Sequence, residues 1–223
     1  MASRLTIHRP GLVPYGRAYD VQQRLAAGVR AGAGPALIIL EHPPTYTLGV
    51  RADAANILAS GDRLLAMGAE VVRADRGGDV TFHGPGQIVA YPIVDLRALG
   101  LGVADYVRGL EATLIGALKT FGIEAGRSAR NPGVWVGDAK IAAIGVRVSR
   151  GVTTHGFALN VNTDLAWFDH IVPCGLTDAT VTSMARIAGR EIDMRTVEDA
   201  VIDAFTRQFG LLAAEPALTE AIA

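Results

Sequence analysis
The chain has one cysteine in 223 residues, so no internal disulfide can form, and its five scattered histidines show no zinc-ligand spacing. Cys174 is left to be explained by reactivity or by burial. An excess of either charge is also missing. The formal net charge is -1 and only 19% of residues are charged, which argues against a polyanion-binding surface and against nucleic acid as a partner. With 50% hydrophobic residues, the composition equally argues against a disordered chain. No apolar run approaches membrane-spanning length; the one at Pro35 to Leu40 is stopped by Glu41, His42, Pro43 and Pro44. Met1 to Pro10 alternates polar and apolar residues without a long apolar core, the pattern of an early strand and not of a signal peptide. The expectation is a soluble cytoplasmic protein with no membrane contact. Repeats, low-complexity tracts and long Pro-, Gly- or Ser-rich linkers are absent too. Residues 1–223 are therefore expected to form one domain with a sizeable core.

What is present is a mixture of helix and strand. Ala18, Val21, Leu25 and Val29 recur at helical spacing, and Ala36 to Glu41 has the length and Ile-rich character of a buried strand. Val80 to His83 and Ile88 to Val94 are apolar segments separated by Gly84-Pro85-Gly86-Gln87, whose turn chemistry predicts a hairpin. Val103, Val107, Leu110, Leu114, Leu118 and Phe121 mark a long amphipathic helix that ends near Gly122. After the Asn131-Pro132-Gly133 turn come Val134 to Val136, Lys140 to Val148 and Val152 to Asn162. Joined by Gly137-Asp138 and Ser149-Arg150-Gly151, they predict an antiparallel meander. Strand alternation puts Lys140, Ala142, Ile144 and Val146 on one face of the second segment. Thr196, with Asp199 three residues on, predicts the start of a last helix with the buried stripe Val197, Val201, Ile202, Phe205 and Phe209. The tail beyond Leu212 is expected to be peripheral. Segregation of strands from helices predicts an α+β domain, a mixed and largely antiparallel sheet flanked by helices.

Four segments carry chemistry. Cys174 lies in Val172-Pro173-Cys174-Gly175-Leu176. There proline restricts the approach, and glycine leaves backbone amides open to a developing oxyanion, a setting that suits a nucleophile. Taken alone, such a cysteine reads as a small buried hydrophobe, and its context has to argue otherwise. Lys140, after a Gly-Asp turn, reads alone as a solvated hairpin residue. Facing Cys174 in a cleft, its ammonium would favour the thiolate by about 4 kcal/mol at ~4 Å and an effective dielectric of ~20, a ceiling of roughly three pKa units. The same lysine, once neutral, would take a proton from an attacking amine and return it to a leaving thiolate.

The third segment is Arg76-Gly77-Gly78-Asp79-Val80-Thr81-Phe82-His83-Gly84-Pro85-Gly86-Gln87. Its four glycines let the backbone lie close to a ligand, while Arg76 and His83 add polar groups. It matches neither the P-loop nor the dinucleotide fingerprint, and its plain alternative is a hairpin with flexible connections. In the fourth, His155-Gly156-Phe157-Ala158-Leu159-Asn160-Val161-Asn162, alternation puts Gly156, Ala158, Asn160 and Asn162 on one face. That leaves room for an extended ligand beside the strand. His42, His155 and His170 read as structural or hydrogen-bonding residues, and none shows a metal spacing.

Five motifs in order resemble the lipoyl(octanoyl) transferase family of lipoate biosynthesis: Glu41-His42-Pro43-Pro44-Thr45-Tyr46-Thr47-Leu48-Gly49, then Arg76 to Gln87, Lys140 to Gly145, His155 to Asn162, and Pro173-Cys174-Gly175. The resemblance runs from about Tyr15 to Phe209. It implies a fold similar to the catalytic domain of biotin protein ligases and lipoate-protein ligases. It further implies that Cys174 accepts an octanoyl group from acyl carrier protein and that Lys140 tunes that cysteine. The family's acyl-binding segments fall on Arg76 to His83, on Ala143, Ile144 and Gly145, and on Gly156, Phe157 and Ala158. The implied acceptors are the lipoyl domains of 2-oxoacid dehydrogenase complexes and the glycine cleavage H protein; no cofactor and no metal is implied. One departure is Phe82, where the family leads one to expect tyrosine, so any hydrogen bond assigned to that hydroxyl is in doubt.

Moving an acyl group from a thioester to an amine is downhill, so no nucleotide loop is needed; two-step, ping-pong transfer is expected. The rival readings are an ATP-dependent lipoate- or biotin-protein ligase, which needs no catalytic cysteine, and a non-catalytic relative that binds acyl carrier or lipoyl domains. A cysteine hydrolase is a further alternative, and it would need water in a site that excludes it. The continuation His83-Gly84-Pro85-Gly86 and the joint presence of Cys174 and Lys140 favour the transferase.

Overall fold
The alternation at the start of the chain is realised as strand β1 (Arg4–Leu12), followed by helix α1 (Tyr15–Arg30) and strand β2 (Ala36–Glu41). The computed structural model describes residues 3–172 and 180–215. Next come β3 (Thr45–Leu48), the short helix α2 (Gly61–Ala66), β4 (Glu70–Arg73), β5 (Val80–His83) and β6 (Gln87–Ile93). Helix α3 (Val103–Lys119) then leads to β7 (Gly133–Val136), β8 (Ala139–Ser149) and β9 (Val152–Asn160). The described chain resumes with β10 (Thr180–Val181), α4 (Met184–Ala188), α5 (Met194–Phe209) and β11 (Leu212–Ala214).

The large sheet has the order β10-β8-β9-β6-β2-β1-β11, with β7 added antiparallel to β8. Its β1–β2, β1–β11 and β10–β8 pairs are parallel and the others antiparallel, so the sheet is mixed, as its sequence predicts. β2 is an unbroken apolar run because both its faces are covered. Leu37 and Ile39 enter the core beneath α3 and α5, while Ile38 and Leu40 pack under Ala18 and Val21 of α1. A second, three-stranded sheet, β4-β3-β5, closes over its own core of Tyr46, Leu48, Phe82 and Phe168.

Four sequence expectations change. First, β5 and β6 form no hairpin: β5 pairs with β3, and β6 pairs with β2 and β9. Gly84-Pro85-Gly86 does turn, and the Gln87 N–H donates to the Gly84 carbonyl at 3.1 Å. Other elements take the Gly86 peptide, however. Its N–H donates to Glu41 Oε2 (2.6 Å), and its carbonyl accepts from the N–H groups of Val161 (3.2 Å) and Asn162 (2.8 Å). Those bonds carry the chain from the small sheet onto the large one. Second, the partner of Val134 is Ala142 and that of Trp135 is Lys140, so Ile141 is an extra residue, a β-bulge. Ala142, Ile144 and Val146 keep to the core face, and Lys140 is uncoupled from their alternation. Third, α5 is capped by Asp193, whose carboxylate accepts from the N–H (2.8 Å) and hydroxyl (2.6 Å) of Thr196. Thr196 is thus the third helical residue and not the cap. Fourth, the tail adds strand β11, parallel to β1.

Candidate functional site
A cleft lies between the α1-side face of the large sheet and the segment that enters β5. Its floor follows from residue size. In register, Val89, Ala158 and Ala143 form one row across β6, β9 and β8, and Gly156 and Gly145 form the next. Glycine is required in that second row. A Cβ on Gly145 would stand 2.8 Å from the Gly77 carbonyl oxygen, and one on Gly156 would collide with the Ala90 carbonyl. The result is a trough floored by small residues and narrowed at the glycine row by the Gly77 and Ala90 carbonyls.

At one end of the trough stands His155. Its φ of +56° is left-handed, rare for a residue with a side chain, and it breaks the strand's alternation. The imidazole therefore lies beside Tyr19 of α1, with ring centroids 5.8 Å apart, and not in the core with Phe157. Its Nε2 donates to Asp75 Oδ1 at 2.6 Å, and its backbone N–H donates to Gln22 Oε1 at 2.7 Å. Tyr19 and Arg147 also donate to Asp75. Burial lowers the pKa of His155 despite the carboxylate beside it, so the neutral ring keeps a lone pair on Nδ1. Burial alone would raise the Asp75 carboxyl; the hydrogen bonds from His155 and Tyr19 and the Arg147 charge bring it below the usual carboxylate value. Among the described residues, His155 Nδ1 and Tyr15 Oη are buried cleft-side atoms without a hydrogen-bond partner.

The Glu41 to Gly49 motif supplies the wall behind the cleft. His42 Nδ1 donates to the Val13 carbonyl (2.6 Å), and its Nε2 accepts from the Tyr91 hydroxyl (2.7 Å). Burial pulls the His42 pKa down to about 4, which fixes the neutral tautomer that this pairing needs. Arg76 is buried against Thr47: Nη2 donates to the Thr47 carbonyl (2.6 Å) and Oγ1 (2.8 Å), and Nε donates to Oγ1 (3.2 Å). From there a directed chain of hydrogen bonds crosses the molecule. The Thr47 hydroxyl donates to His83 Nε2 (3.3 Å), and His83 Nδ1 donates to Gln87 Oε1 (2.9 Å). Gln87 Nε2 donates to Asn160 Oδ1 (2.9 Å), and Asn160 Nδ2 to the Thr182 carbonyl (3.0 Å). The Thr182 N–H donates to the carbonyl of Lys140 (3.0 Å). His83 can take this part only when neutral, and burial lowers its pKa in that direction, helped by the charge of Arg76.

Lys140 is buried at the head of β8. Its Nζ donates to Asn131 Oδ1 (2.9 Å) and lies 5.5 Å from the Trp135 ring centroid. It borders a small recess shared with Ala143, Ala158 and Asn160, so it adjoins the trough at the end opposite His155. A second opening reaches Lys140 past Arg51, Asn131 and Val107. Cys174 lies outside the described residues, as do its neighbours Pro173 and Gly175. The residues flanking that segment are held: the Val172 N–H donates to the Asn56 carbonyl (2.8 Å), and Thr180 pairs with Ala139, next to Lys140.

Of the residues that the sequence assigns to acyl binding, Arg76, Gly78, Asp79, Val80, Thr81 and His83 line the cleft from one side. Ala143, Ile144 and Gly145, with Gly156, Phe157 and Ala158, line it from the other. Gly77 instead faces the second opening. Phe82 lies in the core of the small sheet, stacked on Trp167 at 5.1 Å, away from the cleft. Tyr15, Tyr91 and Asp75 join the site without having been singled out by sequence, and Thr47 joins it from the Glu41 to Gly49 motif. A polar stripe of Tyr15, Tyr19 and Gln22 at helical spacing along α1 was the available signal. Among the described residues, no group of three or more His, Cys, Asp or Glu is placed to hold a metal ion, and no helix is long and apolar enough to cross a membrane.

The family described as the lipoyl protein ligase A/B catalytic domain matches residues 14–206. The chain is 49% identical over 204 residues to an octanoyltransferase of Rubrobacter xylanophilus, covering 90% of this chain and 91% of that one. It is 50% identical over 200 residues to an octanoyltransferase of Solibacter usitatus, covering 89% and 88%. Among solved structures it is similar to a putative lipoate protein ligase from T. acidophilum with bound lipoic acid, with a TM-score of 0.75 and 19% identity over 99% of this chain and 91% of that one. A biotin protein ligase from Aquifex aeolicus in complex with biotin and ATP follows at a TM-score of 0.54 and 12% identity, covering 93% and 70%. At such identities the structural likenesses show a shared fold, the one the sequence motifs imply.

Proposed function
The chain belongs to the lipoyl protein ligase A/B catalytic domain family, and on that footing we propose that it carries an octanoyl or lipoyl group from acyl carrier protein, through a thioester on Cys174, to a lysine of a lipoyl domain. It is an acyltransferase of protein lipoylation, and lipoyl domains are its class of acceptor. The finer acceptors are the lipoyl domains of 2-oxoacid dehydrogenase complexes and the glycine cleavage H protein. The family match over 14–206 supports reading 1–223 as one catalytic domain.

In the first half-reaction the Cys174 thiolate attacks the carrier thioester carbonyl. The C–S bond to the carrier breaks, and the released thiolate takes a proton from the Lys140 ammonium. In the second, the acceptor amine attacks the acyl-cysteine, its proton passes to Lys140, and the Cys174 thiolate leaves. The observation that carries this reading is the convergence of three separate acyl-binding segments on one trough whose head adjoins Lys140. A floor of alanine and glycine suits an unbranched chain lying along the strands.

The ATP-dependent ligase reading shares the fold and remains the rival; the octanoyltransferases at about half identity favour the transferase. Intact mass spectrometry separates them. Without ATP, octanoyl-carrier protein is expected to leave one octanoyl adduct on Cys174, which a lipoyl domain then discharges. The Cys174→Ala protein is expected to show neither step. Transfer that survives in that variant, or that requires ATP, refutes the mechanism.

A further inference from the structure
We propose that His155 is the end wall of the acyl trough and sets the longest chain the enzyme accepts; this deepens, and rests on, the acyl-transfer reading above. Lys140 fixes the reacting end, since it shares a recess with Ala143, Ala158 and Asn160. Same-face rows of a strand lie ~6.7 Å apart. From a carbonyl between the Asn160 and Ala158 rows, the Gly156 row is therefore ~10 Å away and His155 ~13 Å away, by the same rise per residue. An extended acyl chain advances ~1.3 Å per carbon, given C–C bonds of ~1.5 Å. Eight carbons thus end at the Gly156 row, where the Gly77 carbonyl covers Gly145, and twelve would need the space of the imidazole.

The wall is built to stay. His155 is buried, and its backbone is held in the left-handed region by the bond from its N–H to Gln22. Its ring is clamped between Tyr19 and Asp75, and Arg147 braces the same carboxylate. A longer chain gains the burial of one methylene at a time, whereas moving the ring breaks the Asp75 bond and uncovers a paired carboxylate. Tyr91, two residues beyond Val89 on β6, lines one side of the trough at the glycine row.

The test measures kcat/KM for hexanoyl, octanoyl, decanoyl and dodecanoyl carrier-protein thioesters with a lipoyl-domain acceptor. It uses wild type, His155→Gly, His155→Asn and Ala158→Val, each checked for folding by thermal melt. Glycine and asparagine both tolerate the left-handed backbone. Wild type is expected to fall steeply beyond decanoyl. Both His155 variants should raise the dodecanoyl-to-octanoyl ratio about tenfold or more, the scale on which an apolar pocket discriminates by methylenes. Ala158→Val, which fills the trough where the third and fourth carbons of every chain pass, should lower kcat/KM for all four thioesters. Wild-type enzyme that uses dodecanoyl as well as octanoyl, or a folded His155 variant with the wild-type profile, overturns the wall. Undiminished kcat/KM in a folded Ala158→Val protein overturns the direction of the trough on which the wall depends. No transfer from any carrier thioester by wild type would instead sink the acyl-transfer reading.

Discussion

Replacing Thr47 with valine keeps the shape of the side chain and removes one oxygen, and the structure says what that oxygen does. It accepts from Arg76 Nη2 at 2.8 Å and Nε at 3.2 Å and donates to His83 Nε2 at 3.3 Å. Arg76 Nη2 keeps the Thr47 carbonyl at 2.6 Å, so the guanidinium is weakened and not abandoned. One good charge-assisted bond contributes about 1.5–3 kcal/mol and the two long ones less, so Thr47→Val should cost about 2–4 kcal/mol. For a chain of this size that is a fall in Tm of roughly 5–15 °C. Thr47→Ser keeps the hydroxyl and loses a methyl group, so it should retain most of the stability. The assay is urea unfolding of all three proteins with the slopes compared, so that a shifted midpoint reads as stability. A Thr47→Val protein within about 0.5 kcal/mol of wild type, inside the ordinary scatter of surface changes, would refute the assignment of Thr47 as the anchor of Arg76.

Stability should also fall as the solution is acidified. The folded-state pKa of His42, about 4, lies below its ordinary value of 6.5, so the unfolded chain binds the extra proton between those limits. The His42 contribution is complete above pH 6.5, is lost progressively down to about pH 4, and amounts to about 3 kcal/mol. Unfolding midpoints of wild type and His42→Gln between pH 4.5 and 7.5 check this; the variant's slope should be shallower by about one proton. Two glycines predict opposite outcomes of one change. Gly156→Ala drives a Cβ into the Ala90 carbonyl and should cost about 1–3 kcal/mol. Gly116→Ala in α3, whose Cβ would meet Ala204 at 3.9 Å, should stabilise by about 0.5–1 kcal/mol in the same denaturation assay.

Elements whose burial imposes a period were legible in the sequence. α3 and the β7–β8–β9 meander are recovered because each repeats its apolar positions against a large core, and β2 because it is one unbroken apolar run of strand length. The small sheet was not, since β3 and β4 are four residues each and β4 is largely exposed, so no period accumulates. The missing hairpin has a different cause. Gly84 to Gly86 does have turn chemistry, but the turn's hydrogen bonds are decided by Glu41 and Asn162, far away in the chain. The same holds for the site. Gly156 and Ala158 advertise a trough through their size, whereas the reversal of His155 onto the α1 face depends on Gln22, Tyr19 and Asp75. Lys140 was visible as a residue type, and its uncoupling from the strand by the Ile141 bulge was not, because a bulge leaves no mark in hydrophobic spacing.

The chain of donors from Arg76 to Lys140 has one direction, and direction makes it cooperative. Thr47 receives and gives through its one hydroxyl, and each of His83, Gln87 and Asn160 receives at one atom and gives at another. A flip of the Gln87 amide would set two donors against His83 and two acceptors against each other at Asn160, so neither amide turns without the other. The pair is expected to behave as one slow rotor: the side-chain amide protons of Gln87 and Asn160 should exchange with solvent in step, as a single opening event and not as two.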